Sequence, residues 1–456
     1  MNIFKDPERI ETHLRSLVLL LLVISTSIFI LLITYGVTFP TMNVEGGQLS
    51  PENTSLFPKI GLIISIELLF AFLILPKIHS SYNSEQQSLE RKYVHTFSIV
   101  LIVIGYVISF YRGFRLPNLW TMGYFVPSYF DGIYRRAFGG TFLYLFGELR
   151  FNYYFILGVQ ILIFLALNLL ILKAIFKSSY QIRILFALFL LSPAGGYFFH
   201  EIGYIDQLLF LILGVAISLR NQYAAYSLIA ISPLFHEEAL IIVFPCYYLS
   251  FFFRESQVVS KWKWIYPIAF ASLLFIIIVS VRSKGDAIAE FTMKWALNAN
   301  YPPRFDYIAS VLATKTTAFA ALHYTEHQIG SLAITVFAGV IASFTASQHD
   351  FGKKQNLLFC VAILCASLPL SLGFIGWDTS RWIFLSLSAS LLVFYLARKY
   401  LRGFLFYASV ISIVLFSMQV RLRYFDGFEP RKLNPTAIEA FFKNDFLRIA
   451  TEIPKL

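Results

Sequence analysis

Residues 153–176 read YYFILGVQILIFLALNLLILKAIF, and this stretch decides the fold class. Its one charge, Lys173, stands near the end. As a helix it would cover about 36 Å, more than the roughly 30 Å of bilayer hydrocarbon. Similar runs recur along the chain, at about 16–36, 58–76, 94–111, 182–199, 203–220, 222–235, 237–254, 264–281, 329–347, 356–374, 382–398 and 403–420. The segment 222–235 is too short for a full crossing. It runs through Pro233 and His236 into 237–254, so the two read as a broken or shallow hairpin. With 57% hydrophobic residues and a mean hydropathy of +0.68, the composition lies far outside the soluble globular class. The expectation is an all-α integral membrane protein, a polytopic bundle of about thirteen spans. It would form one domain over 1–420, followed by a tail at 421–456.

The charges set the expected topology. With the N-terminus in the cytoplasm, the cytoplasmic segments hold eighteen Lys and Arg, among them Lys5, Lys77, Lys173, Arg183, Lys261, Lys353 and Arg398. They hold seven acids, and the difference equals the net charge of +11 of the whole chain. That is the positive-inside pattern, so the basic balance reads as a topology signal and no nucleic-acid motif accompanies it. The three cysteines, Cys246, Cys360 and Cys365, fall inside spans and imply neither a disulfide framework nor a thiolate metal site. The first apolar run lacks a small-residue cleavage site and reads as an uncleaved signal anchor.

Three longer segments then lie outside the cytoplasm: about 112–152, about 282–328, and the tail. The first contains Ala137–Leu149, apolar and too short to span, which suits a juxtamembrane helix in the interface. Trp120, Tyr124, Tyr129 and Tyr134 around it suit the aromatic belt. The second, with Tyr301-Pro302-Pro303-Arg304, suits a lid.

A set of charges maps to that same face at or near the ends of apolar runs, where an ionisable group is costly and therefore a site candidate. Asp131 stands ahead of Arg135 and Arg136, as a general base beside phosphate clamps or as a solvated surface ion pair. His200, Glu201 and Asp206 join two spans with almost no loop, and helix capping is an equal account of Asp206. His236, Glu237 and Glu238 interrupt a continuous apolar stretch. The spacing of His236 is not that of a zinc protease helix, and no metal-ligand set is assigned. Asp378 and Arg381 stand three apart, either paired with each other or holding a pyrophosphate or sugar. Glu67 sits alone within the second run.

Several of these segments resemble polytopic glycosyltransferases of the C superfamily (GT-C), which use lipid-linked sugars. Asp131 ahead of Ala137–Leu149 is similar to their catalytic acid on the first external loop, before juxtamembrane helices. Ser192-Pro193 through Asp206 to Arg220 resembles a second recurrent arrangement, and Ser232-Pro233, His236-Glu237 and Pro245 resemble a third. The resemblance covers about 120–255. The first loop lacks the paired acid common beside Asp131, and His-Glu stands where a basic residue is frequent. What the resemblance implies is transfer of a sugar from a polyprenyl-phosphate-linked donor to a glycan, lipid or protein acceptor. This would occur on the extracytoplasmic face of a bacterial inner membrane, in cell-surface glycan assembly. Asp131 would be the base. Arg135, Arg136, His200, Glu201, Asp206, His236, Glu237, Asp378 and Arg381 would bind substrate. A divalent cation (Mg or Mn) is compatible with this and not required by it. Arg136 followed by Gly147 also fits the loose spacing of O-antigen and polysaccharide polymerases. A transporter or lipid-linked glycan flippase is the alternative from another class, favoured most by Glu67.

Overall fold

The computed structural model describes residues 86–253, 270, 285–308, 326–348, 355–374, 378–420, 422, 424 and 430–445. Among these residues the regular structure is helical throughout. The helices are α1 (Gln86–Gly113), α2 (Phe138–Leu143), α3 (Tyr153–Phe176), α4 (Tyr180–Leu191), α5 (Pro193–His200), α6 (Ile205–Ser218) and α7 (Gln222–Phe235). They continue with α8 (Ala239–Phe251), α9 (Asp286–Asn298), α10 (Glu326–Ser347), α11 (Gln355–Ser367), α12 (Thr379–Leu396), α13 (Phe404–Gln419) and α14 (Pro435–Ala440). Short 3₁₀ segments follow α2 (Tyr144–Phe151) and α11 (Leu368–Phe374).

Five helical stretches among the described residues are long and apolar enough to cross a membrane, or six if α4 and α5 form one bent span. The expectation of about thirteen is therefore not reproduced. The runs at 16–36, 58–76 and 264–281, and Glu67, lie outside the described residues, apart from the single residue Phe270. The runs at 203–220, 237–254 and 403–420 shorten to α6, α8 and α13. At 1.5 Å per residue these cover roughly 20–24 Å, short of the hydrocarbon thickness. The run at 182–199 is broken by 72° between α4 and α5. Pro193 supplies no N–H, and the Ser192 hydroxyl accepts from the Ala194 N–H at 3.2 Å, so the chain starts a new helix there.

α12 is the central helix. It packs against α4, α5, α8, α10 and α11, and 78% of its apolar window is buried, against 28% for α3. α3 thus offers most of its surface to lipid, while α12 offers little. The α1–α5 crossing is close because both sides are glycine: a Cβ on Gly113 would stand 1.7 Å from the Gly196 carbonyl oxygen. α5 also packs on α12, which brings Glu201 near Asp378 at the start of that helix.

Ala137–Leu149 is not one helix. α2 gives way to the 3₁₀ segment, within which Gly147 turns to φ +57°, a conformation glycine adopts at little cost. Phe142, Leu145, Phe146 and Leu149 stay exposed, as an interface-lying segment requires. α9 packs over this region. Its Phe291 and Trp295 are buried, Phe291 meets Tyr134 at 5.2 Å between ring centroids, and Tyr134 donates to the Ala287 carbonyl.

Candidate functional site

Sequence-distant charges gather in two layers at one end of the bundle. Their backbone sits at the N-terminal ends of α6, α8 and α12, at the C-terminal end of α5, and in the segments around α2 and α9. The partial positive charge of a helix N-terminus suits the acids found at these positions.

The outer layer has two linked ion-pair groups. Arg150 grips Asp131 with both Nη atoms, at 2.5 and 2.8 Å, and Lys294 of α9 donates to the same carboxylate at 2.9 Å. Arg136 grips Glu237 through Nε at 2.9 Å and through Nη2, while Arg135 stands 3.3 Å from that carboxylate. Among the described residues four cations are thus paired with two carboxylates here. Arg136 has φ 65° and is the only non-glycine residue with positive φ among the described residues. A strained, non-glycine conformation at a cluster of charges is a functional signal. Burial works against ionisation of Glu237, yet Arg136 holds its carboxyl well below the usual range. Burial also opposes ionisation of Asp131, but hydrogen bonds from Arg150 and Lys294 outweigh it and hold that carboxyl below its ordinary value.

The inner layer centres on Arg381 of α12. Its Nε and Nη2 hold Asp206 at 2.6 and 2.8 Å, and Nη2 also holds Glu238 at 2.8 Å. Its guanidinium lies over the rings of Tyr204 and Trp382, at 5.4 and 5.1 Å. Glu201 and Asp378 lie close enough to interact electrostatically with this group. One arginine thus faces four carboxyls, the reverse of the outer layer. Burial pushes the Glu201 carboxyl well up. It also lifts Asp378 to about 6, against the pull of Arg381 and with the push of Asp206. The inner layer therefore does not carry all four negative charges together.

His236 links the layers. Its Nδ1 accepts from the Glu238 N–H at 3.2 Å, which leaves the ring proton on Nε2 in the neutral form. Burial and then Arg136 hold its pKa well below the ordinary value. Aromatic rings complete the site: Tyr124 stands edge-on to His236 at 5.8 Å and to Tyr307 at 5.9 Å. Trp120 donates to the Tyr124 hydroxyl, and Asn118 donates to the Tyr204 hydroxyl at 2.9 Å.

Beside the inner layer an apolar slot of about 180 Å³ runs between α3, α4, α6 and α12. Phe384, one turn after Arg381, and Phe198, two residues before His200, line it, as do Ser218 and Tyr395 towards the other ends of α6 and α12. Over those stretches the slot follows the helices for roughly 12–16 Å.

Of the residues singled out in the sequence, Arg135, Arg136, His236 and Glu237 come together, and so do Asp206, Glu201, Asp378 and Arg381. Two expectations change. Asp131 is not an open, solvated carboxylate: Arg150 and Lys294 engage both its oxygens and hold its carboxyl below the ordinary value. Arg381 does not take Asp378 as its side-chain partner; the fork goes to Asp206 and Glu238, and only backbone bonds join it to Asp378. His200 stacks on Tyr424 at 4.2 Å, which ties the chain after α13 to the end of α5. Arg150, Lys294 and Tyr307 carry no local sequence signal, because each meets its partner well away along the chain. Among the described residues no three His, Cys, Asp or Glu side chains converge as a metal site. No family model, no curated protein and no solved structure matches this chain.

Proposed function

We propose that this protein is a polytopic membrane glycosyltransferase that takes its sugar from a polyprenyl-phosphate-linked donor. The observation that carries the reading is one juxtaposition. A charged cluster and an apolar slot meet on α12, where Arg381 of the inner layer and Phe384 stand one turn apart. That is the negative image of an amphiphile with a polar head and a hydrocarbon tail. The tail would lie in the slot. The phosphate would sit at the outer layer, where Arg135, Arg136 and Lys294 exceed the acids they pair with. The sugar would then lie on the side of the inner layer, beside half-buried Asp378.

Transfer forms a bond between the acceptor oxygen and the anomeric carbon and breaks the bond from that carbon to the phosphate oxygen. The electron pair leaves on the phosphate, whose charge the outer cations stabilise in a site with little competing water. Asp131 contributes by fixing Arg150 and Lys294. With the topology expected from the loop charges, the site faces away from the cytoplasm and the acceptor belongs to the cell envelope.

The test uses the full chain in nanodiscs, offered polyprenyl-phosphate and polyprenyl-pyrophosphate hexoses, with release of the lipid phosphate as readout. Release by the wild type, lowered about 100-fold by Arg136→Ala, is the expected result. Movement of the donor between leaflets of a liposome without cleavage would replace this reading with a flippase.

A further inference from the structure

The outer layer supplies cations and leaves no open base, so the proton of the acceptor hydroxyl needs another destination. A general base must be reachable, must have a carboxylate not locked by a cation, and must be held in place. Asp206 and Glu238 fail the second condition, because the Arg381 fork occupies both. Glu201 fails the first, since it is sealed from solvent. Asp378 meets all three. It is half-buried, while the other three inner acids are buried. Its side chain does not cap α12. Its main-chain carbonyl accepts from the Arg381 and Trp382 N–H groups at 3.1 and 3.3 Å, which fixes the residue at the helix start.

We propose that Asp378 is the catalytic base of this site: its carboxylate takes the proton from the acceptor hydroxyl as the acceptor oxygen bonds to the anomeric carbon and the lipid phosphate departs. This rests on the glycosyl-transfer reading and adds to it the residue that receives the proton. The groups around the carboxylate are Tyr197 of α5, Glu201 after it, Tyr204 and Asp206 at the start of α6, and Arg381 on its own helix. Arg381 is spent on Asp206 and Glu238. The tyrosine hydroxyls carry no charge at neutral pH in any case, and burial raises the Glu201 carboxyl. Burial lifts the Asp378 carboxyl to about 6, so its charge changes close to neutrality.

The experiment has two readouts on the full chain in nanodiscs. The first is the carboxyl infrared band followed from pH 4 to 8, comparing wild type with Asp378→Asn. The second is the pH profile of kcat for lipid phosphate release from the donor that the panel identifies. The proposal expects a protonation step near pH 6 in the infrared titration that Asp378→Asn removes. It expects the acid limb of kcat to lie at the same pH and kcat to fall about 100-fold or more in that variant. Asp378→Glu should restore part of the rate, and Asp131→Asn should lower the rate while keeping the limb. Size exclusion and thermal unfolding establish that each variant is folded. An acid limb that survives in Asp378→Asn, or a wild-type kcat there, overturns the assignment and leaves glycosyl transfer standing. If the infrared step is present but no donor is cleaved, the transfer reading falls and takes the catalytic role of Asp378 with it.

Discussion

Replacing Arg381 by methionine removes three hydrogen bonds to two buried carboxylates at once. Methionine keeps much of the volume, so the lost charge dominates the effect. Each stranded carboxyl has two options. It can stay charged in a dry site, which costs several kcal/mol, or it can take up a proton. For a carboxyl that ionises near pH 4 in water, protonation at pH 7 costs about 4 kcal/mol, at about 1.4 kcal/mol per pH unit. Proton uptake therefore caps the loss at about 4 kcal/mol per group. Because Asp206 and Glu238 can share one proton, a total loss of about 3–5 kcal/mol at pH 7 is expected, the usual range for breaking a buried pair. The same reasoning fixes the pH dependence. Stranded carboxyls are protonated in the folded variant and ionised in its unfolded chain above pH 4, so the deficit grows with pH and shrinks on acidification. It should fall by about 1.4 kcal/mol per unit for each proton taken up and nearly vanish near pH 4. Unfolding of the purified protein in mixed micelles, followed at pH 5, 6, 7 and 8, measures this. The triple variant Arg381→Met, Asp206→Asn, Glu238→Gln should recover much of the loss, since it leaves no buried charge behind. A deficit below about 0.5 kcal/mol at pH 7, or one independent of pH, would refute the buried-network account.

Other elements make further expectations. Asp131 has its pKa lowered in the fold, so its contribution is complete above about pH 4, where the unfolded group ionises, and is lost as pH falls through the lower folded value; Asp131→Asn should flatten the acid limb of the unfolding curve. Gly113→Ala sets a Cβ against the Gly196 backbone and should cost about 1–3 kcal/mol by overpacking. Gly158→Ala on α3 meets nothing within 4 Å and should be neutral or stabilising by up to about 1 kcal/mol; equal thermal shifts for the two would contradict the close α1–α5 crossing. Ser388→Phe fills the slot from α12 and should raise KM for long-tailed donors while leaving short-tailed ones little changed; an equal effect on both would remove the tail from the slot.

The long helices were legible because hydropathy sustained over a full crossing leaves few alternatives. α3 occupies the residues read from the sequence, and the Ser192-Pro193 break falls at a residue pair that caps and starts helices. What the sequence hid is pairing. Asp378 and Arg381 look like partners at three residues apart, yet the arginine takes Asp206 and Glu238, 175 and 143 positions away. An arginine fork matches a carboxylate that faces it across a helix interface better than one whose residue serves its own helix start. Asp131 was recognisable as a site residue, but its state was not. Arg150 reaches it across the Gly147 turn, and Lys294 comes from another element. Local sequence records neither approach.

The opposite balance of the two layers bears on how a substrate would be sorted. Four cations against two acids at the outer layer attract an anionic head, and one arginine against four carboxyls inside repels it. In a medium of low dielectric the repulsion between a phosphate and even one ionised carboxylate a few ångströms away amounts to several kcal/mol. A phosphate would therefore stop at Arg135, Arg136 and Lys294. A neutral sugar carries no such penalty and gains from hydroxyl contact with half-buried Asp378. The boundary between the layers passes through His236, neutral and able to donate from Nε2 to either side. Exchanging charge across that boundary tests the idea. Glu237→Lys adds cation to the outer layer, and Asp378→Lys reverses an inner acid. If the layers sort phosphate from sugar, the first variant should tighten binding of inorganic pyrophosphate and the second should open the inner layer to it. Pyrophosphate affinity unchanged from the wild type in both variants would mean that the segregation of charge plays no part in recognition.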